Sequence, residues 1–416
     1  RTPPFHGGNR GSNPLGDATS RGDLPRLAGS RRLVKILYHH RIRSRDGQFV
    51  HVSEIINALE VQGHDVIVVG PDIVDNAPDK LGAGWVARFK QLSPRWVYEI
   101  AELAYSLVGF VRLAQAIRRH RPDVIYERYN LFFFAGIWAK RVFSLPLLLE
   151  VNAPLALERS EHGGLSLERV ARWAEASVWR SADVVLPVTA VLGRIVADSS
   201  GRTARIKIIH NGVNLAQFAP LPESETGNDD DADNVVVGFV GYLRTWHRLD
   251  RVVSMMTRPG NETLRLIVVG DGPALGELKE QVQALGITAR VDFRGVVGRA
   301  ELPEVIRRFD IALQPSVVDY ASPLKLQEYM ALGCAIVAPD KENIREVLRH
   351  GQNALLFPPD DDDGFAAAVQ ELCSNGSLRQ RVGAEAICTI HEQRLTWHDN
   401  ALRIVELAEE LLAPRQ

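Results

Sequence analysis

From about residue 33 onward, short apolar runs rich in β-branched residues alternate with longer stretches of helical periodicity. This alternation is typical of repeated βαβ units and parallel sheets. In the first half it predicts strands at Leu33–Tyr38, Asp65–Val69, Asp123–Tyr126, Leu147–Val151, Asp183–Pro187 and Arg205–Ile209. In the second half it predicts strands at Val235–Val240, Leu264–Val269, Arg290–Phe293, Asp310–Leu313, Ala335–Ala338 and Ala354–Phe357. The predicted fold class is α/β, with two doubly wound, Rossmann-like parallel-sheet domains facing a cleft.

Two stretches lack this alternation of strand and helix patterns. Residues 1–30 are rich in Gly, Pro, Ser and Arg without periodicity, and we expect a disordered or truncated leader there. Residues 221–234 are acidic and weakly hydrophobic, which is typical of a linker. We therefore place the first domain at 31–220 and the second at 235–395.

Composition narrows the class of protein. The 416 residues are 45% hydrophobic and 24% charged, as in an ordinary globular protein with more than one core. With 49 basic and 51 acidic side chains, the balance gives no support for nucleic-acid binding. Three scattered cysteines favour a reducing compartment, and we expect a cytoplasmic protein. The longest apolar runs, Ala104–Val111 and Leu131–Ala139, fall short of the roughly 20 residues that span a bilayer, so we expect no membrane span.

The segment from Ser322 to Ala331 predicts a helix start that could hold an anion. Ser322 suits an N-cap and Pro323 suits the first helical position. Lys325 then lies in the first turn, where a cation is unfavourable by about 0.3–1 kcal/mol unless an anion is bound nearby, and this conflict indicates a phosphate. Glu328, one turn further on, is placed to accept hydrogen bonds from vicinal hydroxyls such as those of a ribose. A capped helix with solvated Lys and Glu is the alternative.

Two further strand-to-helix turns in the second half carry candidate ligand groups. Arg244 and His247 follow the strand that ends near Gly241, and together they could clamp a diphosphate. The alternative is a pair of basic side chains exposed to water. The next turn lacks the spacing of a dinucleotide fingerprint, and its glycines either let backbone approach a ligand or make a tight turn. Its residues are Gly270, Asp271 and Gly272.

Candidate groups in the first domain also follow predicted strands. Residues 31–45 hold six Lys or Arg and no acid, which suits a phosphate-bearing substrate or a solvated loop equally. The histidines at 39, 40 and 51 form no convincing metal pair, and we assign no metal. Three polar side chains at strand ends either bind sugar hydroxyls or cap the following loop. These are Arg128, Glu150 and Asn152.

One long helix is predicted at Pro94–His120, with an apolar stripe and basic residues nearby. Packing of the stripe in the core is favoured, and contact with an anionic membrane surface is the alternative. The stripe consists of Trp96, Val97, Ile100, Leu103, Leu107 and Val111.

Taken in order, these segments resemble the GT-B fold glycosyltransferases of the large group 4, retaining enzymes that use nucleotide-diphosphate sugars. The resemblance covers nearly the whole chain from about residue 33. It rests on the Gly47 loop, Glu150–Pro154, Asn211–Asn214 followed by Phe218 and Pro220, Gly241–Asp250, Val269–Pro273, Phe293–Gly295 and Ser322–Ala331.

The resemblance implies roles for particular residues. Glu328 matches the second glutamate of the family's EX7E pattern and would bind the ribose, while Tyr320 stands at the place of the first glutamate, with Asp319 beside it. Arg244 and Lys325 would stabilise the leaving diphosphate. The other implied donor contacts are Gly241, His247, Gly270, Asp271, Gly272, Ser322, Pro323 and Leu324. Those on the acceptor and sugar side are Asp46, Gly47, Arg128, Glu150 and Asn152.

The implied activity is retaining transfer of a hexose-type sugar to a saccharide or lipid-linked acceptor in glycan or polysaccharide biosynthesis. The nucleotide-diphosphate sugar is the donor substrate, and the chemistry needs neither a metal nor another cofactor. The first domain would serve the acceptor and the second the donor, with a C-terminal helix within 396–416 returning to the first. Peripheral contact with the cytoplasmic face of a membrane stays open. The alternatives are a sugar-nucleotide epimerase or hydrolase, and a non-catalytic sugar-nucleotide-binding module.

Overall fold

The computed structural model describes residues 33–43, 47–71, 94–162, 164–201, 205–220 and 234–414. The expected leader at 1–30, Asp46, and all but the last residue of the acidic linker lie outside the described residues. The described chain forms two parallel β-sheets with helices around them, which confirms the α/β class.

The first sheet contains five parallel strands in the order β2-β1-β3-β4-β5. Their positions confirm the predicted strands to within one or two residues at each end. The strands are β1 (Lys35–His39), β2 (Asp65–Val69), β3 (Val124–Arg128), β4 (Leu147–Val151) and β5 (Val184–Pro187).

The strand predicted at Arg205–Ile209 is wrong as a regular strand. The segment runs parallel to β5, and the Val185 amide donates to the Arg205 carbonyl over 3.0 Å. The Lys207 amide donates back to Val185 and the Ile209 amide donates to Pro187. Proline has no N–H, so Pro187 cannot donate in turn, and the ladder reduces to an isolated bridge at Ile206.

The second sheet contains six parallel strands in the order β11-β10-β9-β6-β7-β8, and all six were predicted. Their ends again differ from the prediction by one or two residues. The strands are β6 (Val236–Val240), β7 (Arg265–Val269), β8 (Val291–Gly295), β9 (Ile311–Leu313), β10 (Ala335–Pro339) and β11 (Leu355–Phe357).

Helices connect the strands of both sheets. Those of the first half are α1 (Gly47–Val61), α2 (Arg95–His120), α3 (Ala135–Phe143), α4 (Leu155–His162), α5 (Glu168–Ser181) and α6 (Ala190–Ser200). Those of the second half are α7 (Leu249–Met255), α8 (Leu275–Ala284), α9 (Leu302–Ile306), α10 (Leu324–Ala331), α11 (Glu342–Arg345), α12 (Asp362–Ser374), α13 (Gly376–Glu392) and α14 (Trp397–Leu412).

The central strands of each sheet are buried on both faces, whereas the outer strands β2 and β8 are partly exposed. In β1, Ile36 and Tyr38 pack into one apolar core, whereas Leu37 packs into the core on the opposite face. The second sheet divides in the same way, because Val237 of β6 and Ile336 of β10 belong to different cores. Burial on both faces explains why these strands are almost continuously apolar in sequence.

The strand orders place one topological switch point in each sheet, between β1 and β3 and between β6 and β9. Ligands of open α/β sheets bind outside the carboxyl ends of the strands at such a point. In the second sheet, the loop after β6 carries Arg244 and His247, and the loop after β9 leads to Lys325. The topology therefore brings two segments about 80 residues apart to one place.

The last helix packs with the first half of the chain. Trp397, Ile404 and Val405 of α14 lie in the same apolar core as residues of β1 and α1. Val213 pairs with Thr396 at the start of this helix, and the Asn400 side chain donates to the His210 carbonyl over 2.8 Å.

A carboxylate of the second half caps a helix of the first. Glu346 accepts hydrogen bonds from the Ala190 amide at 2.8 Å and the Val191 amide at 3.3 Å, at the N-terminus of α6. Thr189 caps the same helix and donates its hydroxyl to the Tyr320 carbonyl over 2.9 Å. A negative charge is favoured at a helix N-terminus, so this contact joins the two halves beside the loop that leads to α10.

Helix α2 differs from the expectation in two ways. By length and composition it is long and apolar enough to cross a membrane, because single charges interrupt the run without making its average polar. The expectation that its stripe packs in the core is also wrong for Trp96, Ile100, Leu107 and Val111. Their exposed fractions are 49%, 47%, 60% and 51%. The opposite face, which includes Leu113, packs on the first sheet.

We predict that Gly212→Ala lowers the free energy of unfolding by about 1–3 kcal/mol, the usual cost of overpacking. A Cβ at Gly212 would lie 2.5 Å from the Trp397 backbone nitrogen, so α14 would have to move. Urea denaturation measures the effect. The control is Gly276→Ala in α8, where a Cβ meets nothing within 4 Å. A loss no larger than that of the control would contradict the prediction.

Candidate functional site

Helix α10 begins one residue later than predicted. Pro323 is the N-cap, with a ψ of 119° that is extended rather than helical, and Leu324 is the first helical residue. The prediction that Ser322 caps this helix is therefore wrong. The Ser322 carbonyl instead accepts a hydrogen bond from the Asn211 side chain over 2.5 Å, which ties the start of α10 to the first half.

The loop between β9 and α10 is held by side chains that donate to its carbonyls. Arg251, whose side chain is 1% exposed, donates to Pro315 over 3.2 Å and pairs with Asp362. Lys341 donates to Val317 over 2.8 Å. Asn343 donates to Ala321 over 2.7 Å. Because donors from several elements share this loop, the position of Lys325 is determined by contacts distant in sequence.

Lys325 holds a buried ammonium group at the start of α10. Its Nζ has no hydrogen-bond partner among the described residues and lies 3.7 Å from the centroid of the Phe239 ring. Burial lowers the pKa of Lys325 to about 7, although Glu328 acts in the opposite direction. A desolvated cation without a hydrogen-bond acceptor is costly, so the group is poised to meet an anion.

His247 lies beside the same ring. Its centroid is 5.3 Å from that of Phe239, and its Nδ1 accepts a hydrogen bond from the Arg244 amide over 3.2 Å. Burial, together with the nearby charges of Lys325 and Arg244, lowers the pKa of His247 to about 3. The histidine is therefore neutral at physiological pH, with Nδ1 as the acceptor and Nε2 as the donor.

Arg244 is exposed and lies between two aromatic side chains. Its guanidinium carbon is 4.8 Å from the Tyr242 ring centroid and 5.1 Å from that of Trp246. These cation–π contacts support the guanidinium of a side chain that stays exposed. Arg244, His247 and Lys325 thus lie together at the switch point. We call these three residues the basic cluster.

The glycines of the turn after β7 allow this turn to pack closely against the loop after β6. A Cβ at Gly270 would lie 2.0 Å from the Gly241 carbonyl oxygen, and one at Gly272 would lie 2.3 Å from the Leu243 carbonyl oxygen. Their φ angles of 125° and 155° also favour glycine. The close approach that the sequence suggested is therefore to the neighbouring β6 loop, and the Asp271 side chain accepts from the Gly272 amide over 2.7 Å.

Glu328 is buried one turn beyond Lys325 and forms an ion pair with Arg299. Burial raises the pKa of Glu328, and Arg299 opposes this shift. The Arg299 guanidinium also lies 3.9 Å from Glu54 of α1 and 4.5 Å from the Phe218 ring centroid. Arg299 was missed at the sequence level. Its place after β8, at the ligand-binding edge of the second sheet, was the signal that could have indicated it.

The residues at the place of the first family glutamate point away from the basic cluster. Asp319 is 76% exposed at its side chain and pairs with Lys341 over 2.7 Å. Tyr320 packs against a core of the first half, where burial and the nearby Glu158 raise its pKa. Neither side chain takes part in the grouping around Lys325.

In the first half, Glu150 is the centre of a buried polar network. Its carboxylate binds His51 at 3.0 Å, the Tyr126 hydroxyl at 2.8 Å, Arg128 and the Asn152 side chain. Burial acts to raise the pKa of Glu150, but His51 and Arg128 outweigh it and keep the carboxyl ionised. The structure thus brings Arg128, Glu150 and Asn152 together, but Arg128 and Asn152 bind the Glu150 carboxylate. The sequence did not indicate that His51 belongs to this network.

Gly47 contacts the start of α10. A Cβ built at Gly47 would lie 3.9 Å from the Leu324 side chain, so the N-terminus of α1 and the N-terminus of α10 meet. Among the described residues, no group of three or more His, Cys, Asp or Glu side chains could hold a metal ion.

Two family models match successive parts of the chain. Glycosyltransferase Family 4 matches residues 45–217, and Glycosyl transferases group 1 matches residues 223–387. The chain belongs to the group 4 glycosyltransferases of the GT-B fold. It is a nucleotide-sugar glycosyltransferase of glycan biosynthesis.

Curated relatives and solved structures agree with this family. A GDP-mannose-dependent alpha-mannosyltransferase of Mycolicibacterium smegmatis is 25% identical, over 76% of this chain and 81% of its own length. A D-inositol 3-phosphate glycosyltransferase of Corynebacterium urealyticum is 24% identical, over 74% of this chain and 77% of its own length. Anabaena HepE, crystallised with UDP, has a TM-score of 0.68 at 19% identity, covering 90% of this chain and 100% of its own.

We predict that Lys325→Met stabilises this glycosyltransferase, by an amount that grows as pH falls from about 10.5 to about 7. In that window the unfolded chain keeps the lysine proton and the native protein does not, so wild-type stability rises with pH. Each unit of lowered pKa corresponds to about 1.4 kcal/mol. Denaturant titrations across the window measure the difference.

Lys279→Met is the matched control, because Lys279 is exposed and its Nζ lies 5.5 Å from the Phe293 ring centroid. It should show no comparable pH-dependent gain. A difference between wild type and Lys325→Met that stays constant across the window would contradict the buried-ammonium interpretation.

Proposed function

We propose that this glycosyltransferase moves a hexose-type sugar from a nucleotide-diphosphate sugar to a saccharide or lipid-linked acceptor, with retention at the donor carbon. The observation that carries this proposal is the buried Lys325 ammonium, which lacks a hydrogen-bond acceptor beside Arg244 and His247. A donor diphosphate would supply the missing negative charge.

The basic cluster suits stabilisation of a leaving diphosphate. As the bond to the donor carbon breaks, negative charge grows on the departing oxygen, and preorganised donors around that oxygen lower the barrier. Lys325 offers an ammonium, Arg244 a guanidinium and His247 an Nε2–H, while free amides at the start of α10 add to them. We propose that these groups stabilise the leaving diphosphate without a metal or other cofactor.

Retention requires the acceptor hydroxyl to attack from the face that the diphosphate leaves. In a direct attack, the bond to the acceptor oxygen forms as the bond to the diphosphate breaks, so no protein carboxylate is needed as nucleophile. The acceptor proton passes to the departing phosphate oxygen, so no protein carboxylate is needed as base. This fits Glu150, whose oxygens are committed to its own network. In this proposal the network holds Arg128 and Asn152 in place at the sheet edge.

Glu328 is proposed to bind the donor ribose. In the described structure its carboxylate is paired with Arg299, which also approaches Glu54 and Phe218. A carboxylate offers several acceptor positions, so a ribose hydroxyl can bind beside the guanidinium. Arg299 would keep Glu328 ionised and oriented while the hydroxyl donates to it.

The test is donor consumption, with GDP-mannose and UDP-glucose as donors and D-inositol 3-phosphate and glycogen as acceptors. These compounds are chosen from the names of relatives and structural neighbours. Turnover that depends on an added acceptor supports transfer. Isomerisation or hydrolysis without an acceptor would reject it, and binding without turnover would indicate a non-catalytic module.

With the active pair, we predict that Arg244→Ala and Lys325→Ala each lower turnover by about tenfold or more, which is about 1.4 kcal/mol of transition-state stabilisation. Arg308→Ala is the matched control, since Arg308 is an exposed arginine away from the cluster. Unchanged turnover in both cluster variants would refute the proposed clamp.

We also propose that the protein acts on the cytoplasmic side of a membrane and touches that membrane through α2. Basic side chains follow the exposed apolar stripe toward the C-terminus of this helix, at Arg112, Arg119 and His120. An apolar stripe bordered by basic side chains matches the acyl boundary and anionic headgroups of a bilayer.

We predict that Leu107→Asp reduces co-sedimentation with vesicles of phosphatidylcholine and phosphatidylglycerol, because it places a charge in the centre of the stripe. High salt should weaken binding by wild type as well. Leu285→Asp is the control, since Leu285 is an exposed leucine at the end of α8. Equal binding by the two variants would exclude docking through α2.

A further inference from the structure

A second basic site lies in the first half, apart from the basic cluster. A cavity of about 710 Å³ opens at the carboxyl end of β2, where Val68, Gly70 and Pro71 form one wall. The second half of α2 forms another wall, and Arg43 enters from the segment after β1. Because β1 and β2 are parallel, the cavity lies at the carboxyl ends of the strands, beside the outermost strand of the first sheet and one strand away from the switch point.

The charge in this cavity is of one sign. Four basic side chains line it, and the described lining residues include no carboxylate. Those side chains are Arg43, Arg112, Arg119 and His120. None of the four has an ion-pair partner among the residues that the structure describes, and all four are exposed to solvent. A concave site with unpaired charges of one sign concentrates ions of the opposite sign.

The geometry of α2 suits a phosphate in particular. Arg112, Gln115 and Arg119 recur at intervals of three and four residues, so their side chains lie on one face of the helix and point into the cavity. Guanidinium groups bind phosphate oxygens in pairs, and Gln115 adds an amide donor. The backbone at Gly70 leaves no room for a side chain, since a Cβ there would lie 2.6 Å from the His40 ring.

We propose that this cavity binds a phosphate group carried by the acceptor. The proposal rests on the proposed transferase function and names the acceptor class, an anionic phosphate ester. The phosphate would anchor the acceptor at the first sheet, while its reacting hydroxyl reaches toward the edge where Gly47 meets α10. The shared chemistry fits a soluble phosphorylated polyol or the headgroup of a phospholipid.

The experiment compares neighbouring arginines on one helix. Arg119 lines the cavity, whereas Arg118 lies outside it, with its guanidinium 5.5 Å from the Phe143 ring centroid. Calorimetry of the full chain without donor measures binding of glycerol 3-phosphate, with glycerol as the uncharged control. A parallel arm measures co-sedimentation with phosphatidylcholine vesicles with and without phosphatidylglycerol.

We expect Arg119→Ala and Arg112→Ala each to weaken phosphate binding by about tenfold or more, and Arg118→Ala to bind as wild type does. Loss of glycerol 3-phosphate binding identifies a soluble phosphate ester as the ligand. Loss confined to phosphatidylglycerol vesicles identifies a lipid headgroup. Equal losses in the Arg118 and Arg119 variants, or no loss in either cavity variant, would overturn the proposal.

The outcome is separable from that of the proposed function. Donor binding and the effect of Lys325→Ala depend on the second sheet and do not require the cavity. If donor turnover fails while phosphate binding follows Arg119, the cavity is a phosphate site, but its assignment to an acceptor fails together with the transferase proposal. If acceptor-dependent turnover is observed but is unaffected by Arg119→Ala with every phosphorylated acceptor, the cavity is not an acceptor subsite.

Discussion

The binding site proposed in the second half depends on one ammonium group in a desolvated position. Lys325 Nζ faces the ring of Phe239 and has no hydrogen-bond acceptor among the described residues. Removing a cation from water without a partner destabilises the native state, and the lowered pKa of Lys325 records that cost. The arrangement becomes favourable when an anion arrives, which is how a binding site differs from a stabilising ion pair. The neighbouring neutral His247 can then donate without adding a second buried charge.

The fold keeps this unfavourable group in place through contacts that are individually ordinary. The loop before α10 is held by Arg251, Lys341 and Asn343, and the loop after β6 rests on the glycines of the β7 turn. Glu346 and Asn211 connect the same region to the first half. These hydrogen bonds hold the backbone at the switch point before a ligand binds, which is the preorganisation that stabilisation of a leaving group needs.

The two halves differ in whether their buried charged side chains have hydrogen-bond partners. The first half buries Glu150 within a network in which His51, Tyr126, Arg128 and Asn152 all bind its carboxylate. The second half leaves its buried ammonium without a hydrogen-bond partner. Among the described residues of the first half, unpaired basic side chains line the surface cavity beside α2. This division fits a donor site that must stabilise developing charge and an acceptor side that must position a substrate.

The amino-acid sequence by itself determined the elements. Apolar runs and helical periodicity predicted eleven strands to within one or two residues, because these patterns are local and burial on both faces imposes them. It also indicated Arg244, His247 and Lys325, since they follow strands whose carboxyl ends meet in such a sheet. Only the tertiary structure decided which groups have partners. The pairing of Arg299 with Glu328, the place of His51 beside Glu150 and the exposure of the α2 stripe depend on contacts between distant segments, and local periodicity carries no information about those contacts.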